Sequence, residues 1–369
     1  MGRELSLETK LHQKSVRERI RERFGDKPNS GPWVIELDPT TACNLACHDC
    51  ISANLLNQGG FERERLKNLA KEFKEMGVRA VVLIGGGEPM AHPEFGNIVS
   101  YFHENNIHVG VTTNGTLMDR YMDVLAEKTK WVRVSVDAGT PEMFKEYRPA
   151  PNGQNLFSTV VRSMTELGKR RKGLLGYSFL VLSKRDDDNK FIGTNATDIA
   201  SAARLAKELG CNYFEVKPSF DMMHFLIDHT KTVKDVVMGQ LKEVEHLQDE
   251  NFKIISPYTL SDALDGTSVQ TKTYTRCLTA ELRTVVSPSG VYVCPYHRGN
   301  LNMRLGDAAK NSLQHIWASG KRKAIMEKVN PSIHCTFHCI RHQSNLLLEK
   351  WAAEGGSPDD AVDDFDFFI

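Results

Sequence analysis

Beginning near Trp33, short apolar segments alternate with longer amphipathic segments through much of the chain. The short segments have the length and β-branched content of buried strands, and the longer ones have the apolar spacing of helices. The predicted strands cover residues 34–37, 80–84, 108–112, 131–136, 176–182 and 212–217. The predicted helices between them cover residues 62–76, 94–105, 119–127, 156–171 and 196–209. Strands joined by helices form a parallel sheet, which predicts an α/β protein, either a partial (β/α)6 TIM-like barrel or an open doubly wound sheet.

Three closely spaced cysteines, Cys43, Cys47 and Cys50, follow the first predicted strand. In a parallel barrel the loops after the strands share one face, and the chemistry of the protein lies on that face. A [4Fe–4S] cluster has four irons and usually takes four thiolates, so three thiolates leave one iron open to another ligand. The alternatives are a zinc site completed by His48 and a set of buried structural thiols.

The cysteine spacing resembles the cluster motif of the radical SAM superfamily. That resemblance implies a cluster that binds S-adenosylmethionine (SAM) through its amino and carboxylate groups and cleaves it to a 5′-deoxyadenosyl radical. The loops after the next three strands also resemble the family, in the runs Gly-Gly-Gly-Glu-Pro, Thr-Thr-Asn-Gly and Ser-Val-Asp-Ala-Gly. The resemblance assigns SAM to Gly86, Gly87, Glu88, Thr113, Ser135 and Arg148.

Three of these family segments have a simpler alternative. A glycine run or an Asn-Gly pair is often an ordinary turn, and Arg148, which precedes Pro149, is placed to cap a helix end. The family usually has an aromatic residue before the third cysteine, whereas this chain has Asp49. The resemblance therefore leaves the adenine contact unassigned.

Four further cysteines lie late in the chain and would fully ligate a second [4Fe–4S] cluster. They are Cys277, Cys294, Cys335 and Cys339. Cys294 closes a predicted β-hairpin with Pro288 and Gly290 in its turn. The order of these segments resembles the one-cluster "twitch" form of the SPASM-type auxiliary domain of radical SAM enzymes. The alternative is zinc, with His297, His334 and His338 close by in the sequence.

The eighth cysteine, Cys211, is predicted to be structural, although some radical SAM epimerases use a free cysteine as a hydrogen donor. It opens the last predicted strand, and strand beginnings lie away from the active face. The candidates for substrate contact or proton removal lie past strand ends or after a cluster ligand. They are Lys217, Ser219, Asp221, His224, Arg185, Asp186, Tyr296, His297 and Arg298.

The predicted domains follow from these segments. They are an N-terminal helix (1–30), a radical SAM partial barrel (31–230), a connecting helix and strand (231–256), a twitch/SPASM-like auxiliary-cluster domain (257–345) and an acidic-aromatic tail (346–369). The arginines of the first segment, Arg17, Arg19, Arg21 and Arg23, are expected on a solvated face. The aromatic residues of the tail suggest docking into a groove, on the barrel of the same chain or on a partner.

Composition limits the possible partners and location. The formal net charge is +0, so no overall charge favours nucleic acid or an anionic membrane. No apolar run approaches the roughly 18 residues of a membrane span, and the first thirty residues contain no signal-peptide core. These features predict a cytoplasmic, reducing location. Such a location favours metal binding over disulfide formation for the 8 cysteines.

The resemblance implies a radical SAM oxidoreductase with two [4Fe–4S] clusters and SAM. It suggests hydrogen abstraction from a small polar molecule (a sugar, aminoglycoside or cyclitol) and two-electron dehydrogenation with the auxiliary cluster as electron acceptor. An external electron donor such as flavodoxin or ferredoxin is implied. The alternatives are a redox-neutral epimerase, dehydratase or decarboxylase, a peptide-modifying enzyme, and a metal-bound scaffold without catalysis.

Overall fold

The computed structural model describes residues 7–24, 31–47, 49–188, 190–219, 231–256, 260, 264, 270–354 and 360–369. Within these residues all six predicted strands are present, each within two residues of its predicted bounds. They are β1 (Val34–Leu37), β2 (Ala80–Leu83), β3 (His108–Thr113), β4 (Trp131–Ser135), β5 (Leu174–Val181) and β8 (Tyr213–Pro218). A hairpin of β6 (Ser183–Arg185) and β7 (Phe191–Thr194) lies between β5 and β8.

The six strands form a parallel sheet in the order β1-β2-β3-β4-β5-β8. Each strand therefore pairs with the one before it, whereas a doubly wound sheet reverses direction around its first strand. Of the two predicted alternatives, this order matches the partial (β/α)6 barrel. A further strand, β9 (Lys253–Ile255), pairs in parallel with β8 and lengthens this edge.

Helices alternate with the strands of the sheet, as the apolar spacing predicts. In the described residues before β10 they are α1 (Leu7–Leu11), α2 (Lys14–Phe24), α3 (Arg63–Glu75), α4 (Phe95–Glu104), α5 (Met122–Lys128), α6 (Pro141–Tyr147), α7 (Phe157–Arg170), α8 (Ile199–Glu208), α9 (Lys231–Val244) and α10 (Thr279–Leu282). The buried residues of α3 are Leu66, Leu69, Ala70 and Phe73, which share one helix face. Gly77 and Gly210 have φ of +71° and +75°, the left-handed conformation predicted after α3 and α8.

The C-terminal region is an α+β unit that continues the barrel sheet. It contains β10 (Arg283–Ser287), β11 (Gly290–Tyr292), β12 (Arg304–Gly306), α11 (Leu313–Ala318), α12 (Gly320–Lys328), α13 (Pro331–His334) and α14 (His342–Ala353). The predicted hairpin is present, with Ser287 opposite Gly290. The sequence did not predict that β10 would pair in parallel with β1 and so join this unit to the barrel.

The N-terminal segment differs from the single helix predicted over residues 1–30. Two helices, α1 and α2, meet at a break beside Gln13. Gln13 forms a parallel bridge with Val362, and its side-chain oxygen accepts hydrogen bonds from the amides of Phe365 and Asp366. The helix is interrupted at Gln13 because this residue pairs with the tail of the chain.

The expectation of a solvated arginine face is wrong for Arg17 and Arg23. The Arg17 side chain is 1% exposed and its guanidinium bonds Asp360 at 2.7 Å. The Arg23 side chain is 7% exposed and pairs with Glu281. Carboxylates elsewhere in the chain compensate the burial of these charges, and sequence position alone does not reveal such partners.

The tail docks on the barrel of its own chain, one of the two predicted options. Phe367 and Phe368 are buried at the N-terminal ends of the strands. Phe367 packs edge-on against Trp33, and Phe368 packs against Trp131. The tail therefore closes the end of the barrel opposite the cysteine loop. The predicted domain boundaries themselves stay predictions.

Candidate active site

The loop after β1 carries the three cysteines of the first motif at the C-terminal end of that strand. Cys43, Cys47 and Cys50 are each partly buried. The amide of Cys43 donates to Asn57 Oδ1 at 3.1 Å, which ties the loop to the segment that follows it. The thiols therefore lie on the face on which the sequence predicts them.

Burial makes these thiols hard to ionise. It raises the pKa of Cys43 to about 11, and it also raises the pKa of Cys47. Thiolates bind iron, so a site of this kind requires a cation that displaces the thiol protons. A set of three neighbouring thiols fits a [4Fe–4S] cluster with one open iron.

The glycine loop after β2 packs directly on the cysteine loop. A Cβ atom at Gly87 would lie 2.5 Å from Ala42 O, much closer than van der Waals contact allows. The amide of Glu88 donates to the same carbonyl at 2.8 Å. At Gly86 an added Cβ would lie 3.3 Å from Asp38 Oδ2. The two loops meet here because Gly87 has no side chain.

The carboxylate of Glu88 joins the second loop to the third. It is buried and accepts hydrogen bonds from Thr113 Oγ1 at 2.8 Å, Asn114 N at 2.8 Å and Met90 N at 3.1 Å. Burial raises the pKa of Glu88 to about 6, although these hydrogen bonds favour the charged form. Glu88 and Thr113, two of the predicted SAM residues, therefore contact each other.

Asn114 connects the third loop to the cysteines. Its side-chain nitrogen donates to Asn44 Oδ1 at 3.0 Å and lies 4.0 Å from Cys43 Sγ. Its side-chain oxygen accepts from the amide of Thr116 at 3.0 Å. The Asn-Gly turn of the sequence is thus part of the wall around the cysteine loop, and Asn114 is a site residue that the predicted set omitted.

Arg148 lies beside the cysteines, and a carboxylate already holds it. Its Nε donates to Asp137 Oδ2 at 2.8 Å, and its Nη2 donates to the same oxygen. Its Nη1 lies 3.8 Å from Cys47 Sγ. Its backbone also ends α6, as the capping alternative describes, and its predicted pairing with SAM stays a prediction. Ser135 lies on β4 and is half-buried.

A cavity of about 510 Å³ opens beside this loop. Its wall combines Cys47 and Cys50 with the C-terminal ends of β4, β5 and β8 and with residues of the C-terminal region. Asp49 and Tyr147 both line it. The cavity lies at the face predicted for the chemistry.

Three charged side chains form a connected group on the cavity wall. Glu215 Oε2 lies 3.0 Å from Lys217 Nζ and 3.3 Å from Arg133 Nη1. Burial opposes the ionised carboxylate, but Lys217 and Arg133 together hold the pKa of Glu215 down to about 2. Burial lowers the pKa of Lys217, and Arg133 adds to that effect. Of these three, the sequence predicted only Lys217, although a charged residue within the otherwise apolar strand β4 was a visible signal.

The remaining residues that the sequence offered for substrate contact or proton removal lie partly at the cavity and partly away from it. Ser219 lines the cavity and donates to Val181 O at 2.8 Å. Arg185 lies in the β6–β7 hairpin, outside the cavity lining, and Asp186 accepts hydrogen bonds from amides of its own loop. Cys211 is 5% exposed just before β8, in the position predicted for a structural thiol. His48, Asp221 and His224 lie outside the described residues.

The four late cysteines line a second cavity. They are Cys277, Cys294, Cys335 and Cys339. Burial and mutual repulsion raise the pKa of Cys335 to about 12 and that of Cys339 to about 11. The four cysteines line this cavity, and across the described ranges no three His, Cys, Asp or Glu side chains converge closely enough to hold a metal ion. A donor set of four thiols that need a cation to ionise fits a fully ligated cluster.

The sequence also offered His297 and Arg298, which follow Cys294, as residues of the first cavity. In the structure both side chains contact other groups. His297 Nε2 lies 3.6 Å from Cys335 Sγ, and burial lowers the pKa of His297 to about 4. Arg298 Nε lies 2.6 Å from Asp38 Oδ2 in a buried ion pair. Arg298 therefore ties the auxiliary loop to the end of β1.

An aromatic pair separates the two cavities. Tyr296 and Phe337 stack with ring centroids 4.5 Å apart and planes 24° apart. Both residues line the cavity beside Cys47 and Cys50, and both line the cavity of the four late cysteines. The two cysteine sets thus share one wall.

Comparisons with known proteins agree with this arrangement. Residues 37–194 match the Radical SAM superfamily. The mycofactocin maturase MftC of Mycobacterium tuberculosis is 24% identical over 311 residues, which is 81% of this chain and 73% of that protein.

Solved structures share the fold. Streptococcus suis SuiB bound to the precursor peptide SuiA has a TM-score of 0.58 and 14% identity, covering 85% of this chain and 71% of that one. The anSMEcpe structure with bound AdoMet and the Cp18Cys peptide has a TM-score of 0.56 and 21% identity, covering 80% and 82%. These similarities support the partial barrel. In the part of the chain that the structure describes, no helix has the length and apolar character to span a membrane.

Proposed function

Because the domain over residues 37–194 makes this chain a radical SAM protein, we propose that it modifies a peptide by radical chemistry. The relatives named above favour this substrate over the small polar molecule expected from the sequence, since one is a maturase and two structures contain a peptide. The cavity also suits a segment of chain, because Ile51 and Ile340 on its wall are 55% and 56% exposed.

We assign the first cluster to Cys43, Cys47 and Cys50, where SAM bound at the open iron would supply the 5′-deoxyadenosyl radical. The peptide groups of Gly86 and Gly87 border this position and suit the methionyl amine of SAM. Glu88 acts as a positioning residue, because its carboxylate holds the third loop against the second.

Tyr296 and Phe337 form a wall that the two cavities share, and this observation supports an oxidation of the substrate. After a substrate carbon has lost a hydrogen atom, loss of one proton and one electron completes a two-electron oxidation. The electron would cross this wall to a second cluster at the four late cysteines. Lys217, one of the residues that the sequence offered for proton removal, lines the first cavity, where its ammonium group pairs with Glu215 at 3.0 Å.

A labelling experiment distinguishes a peptide from a small substrate. The reconstituted enzyme is mixed anaerobically with SAM, dithionite and fractions of a lysate from source cells grown in deuterated medium. We expect deuterium in 5′-deoxyadenosine from the peptide-sized fraction, and we expect protease digestion of that fraction to abolish it. The Cys43→Ala variant, which should form no 5′-deoxyadenosine, is the control. Deuterium transfer from the smaller, protease-resistant fraction would overturn the peptide substrate.

A small polar substrate is the second candidate. The Arg133–Glu215–Lys217 group offers charged hydrogen-bonding partners to the hydroxyl groups of a sugar or cyclitol. The same labelling experiment tests it, because its deuterium would come from the smaller fraction. An external electron donor such as flavodoxin or ferredoxin is part of either proposal.

A further inference from the structure

Cationic side chains surround the auxiliary cavity. Arg283, Lys272 and Arg341 line it, and within the described part of its lining Glu36 is the one carboxylate. Glu36 pairs with Arg283, so these two charges offset each other. Lys272 and Arg341 therefore give the cavity a positive surplus.

Both cations are placed close to the cysteines. Lys272 Nζ donates to Phe337 O at 2.7 Å, on the segment between Cys335 and Cys339. Electrostatic interaction links Lys272 to both of these cysteines, and it links Arg341 to Cys339. Both positive charges therefore act on Cys339.

Arg341 has an incomplete set of hydrogen-bond partners. Its Nη1 atom is buried, and among the described residues no acceptor bonds it. A guanidinium group stays protonated in proteins, so Arg341 is a cation. A buried guanidinium N–H normally has an acceptor. The sulfide atoms of a cluster in this cavity would supply one.

We propose that Lys272 and Arg341 raise the reduction potential of the auxiliary cluster and so make it an electron acceptor for substrate oxidation. This inference rests on the proposed function, since it requires a cluster at the four late cysteines. An added electron makes a cluster more negative, and nearby positive charge in a low-dielectric interior stabilises that reduced state. Hydrogen bonds to the cluster sulfurs act in the same direction.

The test measures the potential of the auxiliary cluster alone. The full chain carrying Cys43→Ala, Cys47→Ala and Cys50→Ala removes the first cluster, and redox titration followed by electron paramagnetic resonance reports the second. Adding Arg341→Met or Lys272→Met should move the potential to more negative values. We expect about a tenfold change in the reduction equilibrium for each, which is about 59 mV for one electron. The double variant should move it further.

Matched variants separate this effect from others. Arg276 is exposed on the same segment as Cys277, so water and salt screen its charge and Arg276→Met should shift the potential much less. Arg341→Lys keeps the charge with a smaller change of structure, and it should retain most of the potential. Iron content and circular dichroism verify each variant.

Each other outcome contradicts a specific statement. Absence of iron in the triple cysteine background would overturn the auxiliary cluster itself, and this inference with it. A cluster whose potential is unchanged by Lys272→Met and Arg341→Met would overturn the inference while the proposed function stands. An equal shift in Arg276→Met would also overturn it, because net charge alone would then explain the potential.

Discussion

Single residues at this site act through their neighbours. Glu88 bonds the third loop, and Asn114 of that loop reaches the cysteine loop through Asn44 and Cys43. A chain of contacts thus runs from the carboxylate to a proposed iron ligand. Removing one member should alter the fit of SAM without removing an iron ligand.

Glu88→Ala provides the residue-scale test of this chain of contacts. The change leaves Thr113 Oγ1 and the amide of Asn114 without their acceptor, and each such buried group costs about 1–3 kcal/mol. We expect SAM affinity to fall at least about tenfold while iron content is unchanged. Equilibrium binding under anaerobic conditions measures the first quantity, and Glu104→Ala, an exposed carboxylate, is the control. Wild-type affinity in Glu88→Ala would mean that the loop is an ordinary turn.

Replacing Cys43, Cys47 and Cys50 with alanine should halve the iron and sulfide content. Two [4Fe–4S] clusters hold about eight irons, and the four late cysteines would retain about four of them. SAM cleavage should be abolished, because these cysteines hold the proposed open iron. Metal analysis after anaerobic reconstitution, together with a 5′-deoxyadenosine assay, measures both effects. Stoichiometric zinc beside a single cluster in the wild type would contradict the count.

The sequence revealed residues whose chemical type and local spacing carry the signal, and it missed those defined by distant partners. The cysteines and Glu88 stand in short motifs. Arg298 was predicted to face the cavity, whereas its partner is Asp38, 260 positions away. Glu215 was missed because its neighbour Arg133 lies on another strand.

At the level of elements, adding one methyl group at Gly87 tests the contact between the glycine loop and the cysteine loop. Gly87→Ala would place Cβ 2.5 Å from Ala42 O, so the cysteine loop must move. We expect loss of most SAM cleavage. Gly239→Ala is the matched control, because Gly239 lies within α9 with nothing within 4 Å of its added Cβ. That control should keep activity and gain up to about 1 kcal/mol of stability. Equal activity in both variants would contradict the contact.

Docking of the tail should make stability depend on pH through His108, which stacks on Phe367 at 4.6 Å. Burial lowers the pKa of His108 from 6.5 to about 4, Lys130 and Arg79 act in the same direction, and Asp366 opposes them. The unfolded chain therefore binds a proton that the folded chain does not, so the free energy of unfolding falls as pH drops from 6.5 to about 4.

The variant His108→Gln should lose less stability than the wild type between neutral and acidic pH. Urea unfolding at both pH values measures the difference. His315→Gln, which changes an exposed histidine of α11 that does not act on His108, should behave as the wild type does. An identical loss of stability in wild type and His108→Gln would show that the ring does not control tail docking.

The elements were predictable where the pattern is local. Strand and helix positions follow from the spacing of apolar residues. The break beside Gln13 was not predictable, because its cause lies at Val362 near the other end of the chain. The pairing of β10 with β1 was missed for the same reason, since Val34 and Arg283 are 249 positions apart in the sequence.

At the scale of the whole molecule, one continuous sheet carries both cysteine sets. The loop after β1 holds the first set, and β10, which pairs with β1, leads into the hairpin that ends at Cys294. Tyr296 and Phe337 then form the wall between the cavities. The fold therefore places a proposed electron donor and acceptor on opposite sides of two stacked rings.

This arrangement leads to the last prediction, that Cys335→Ala/Cys339→Ala uncouples SAM cleavage from product formation. The first cluster has its own ligands, so 5′-deoxyadenosine should still form. The substrate radical would lack its electron acceptor, so oxidised peptide should fail to appear in mass spectra. Collapse of the C-terminal region is the competing explanation, because a cluster can stabilise a small domain as zinc does. Pairing of β10 with β1 argues that the barrel would persist, and circular dichroism with iron analysis verifies it. Normal turnover in a well-folded variant would contradict the oxidative reaction and favour a redox-neutral one.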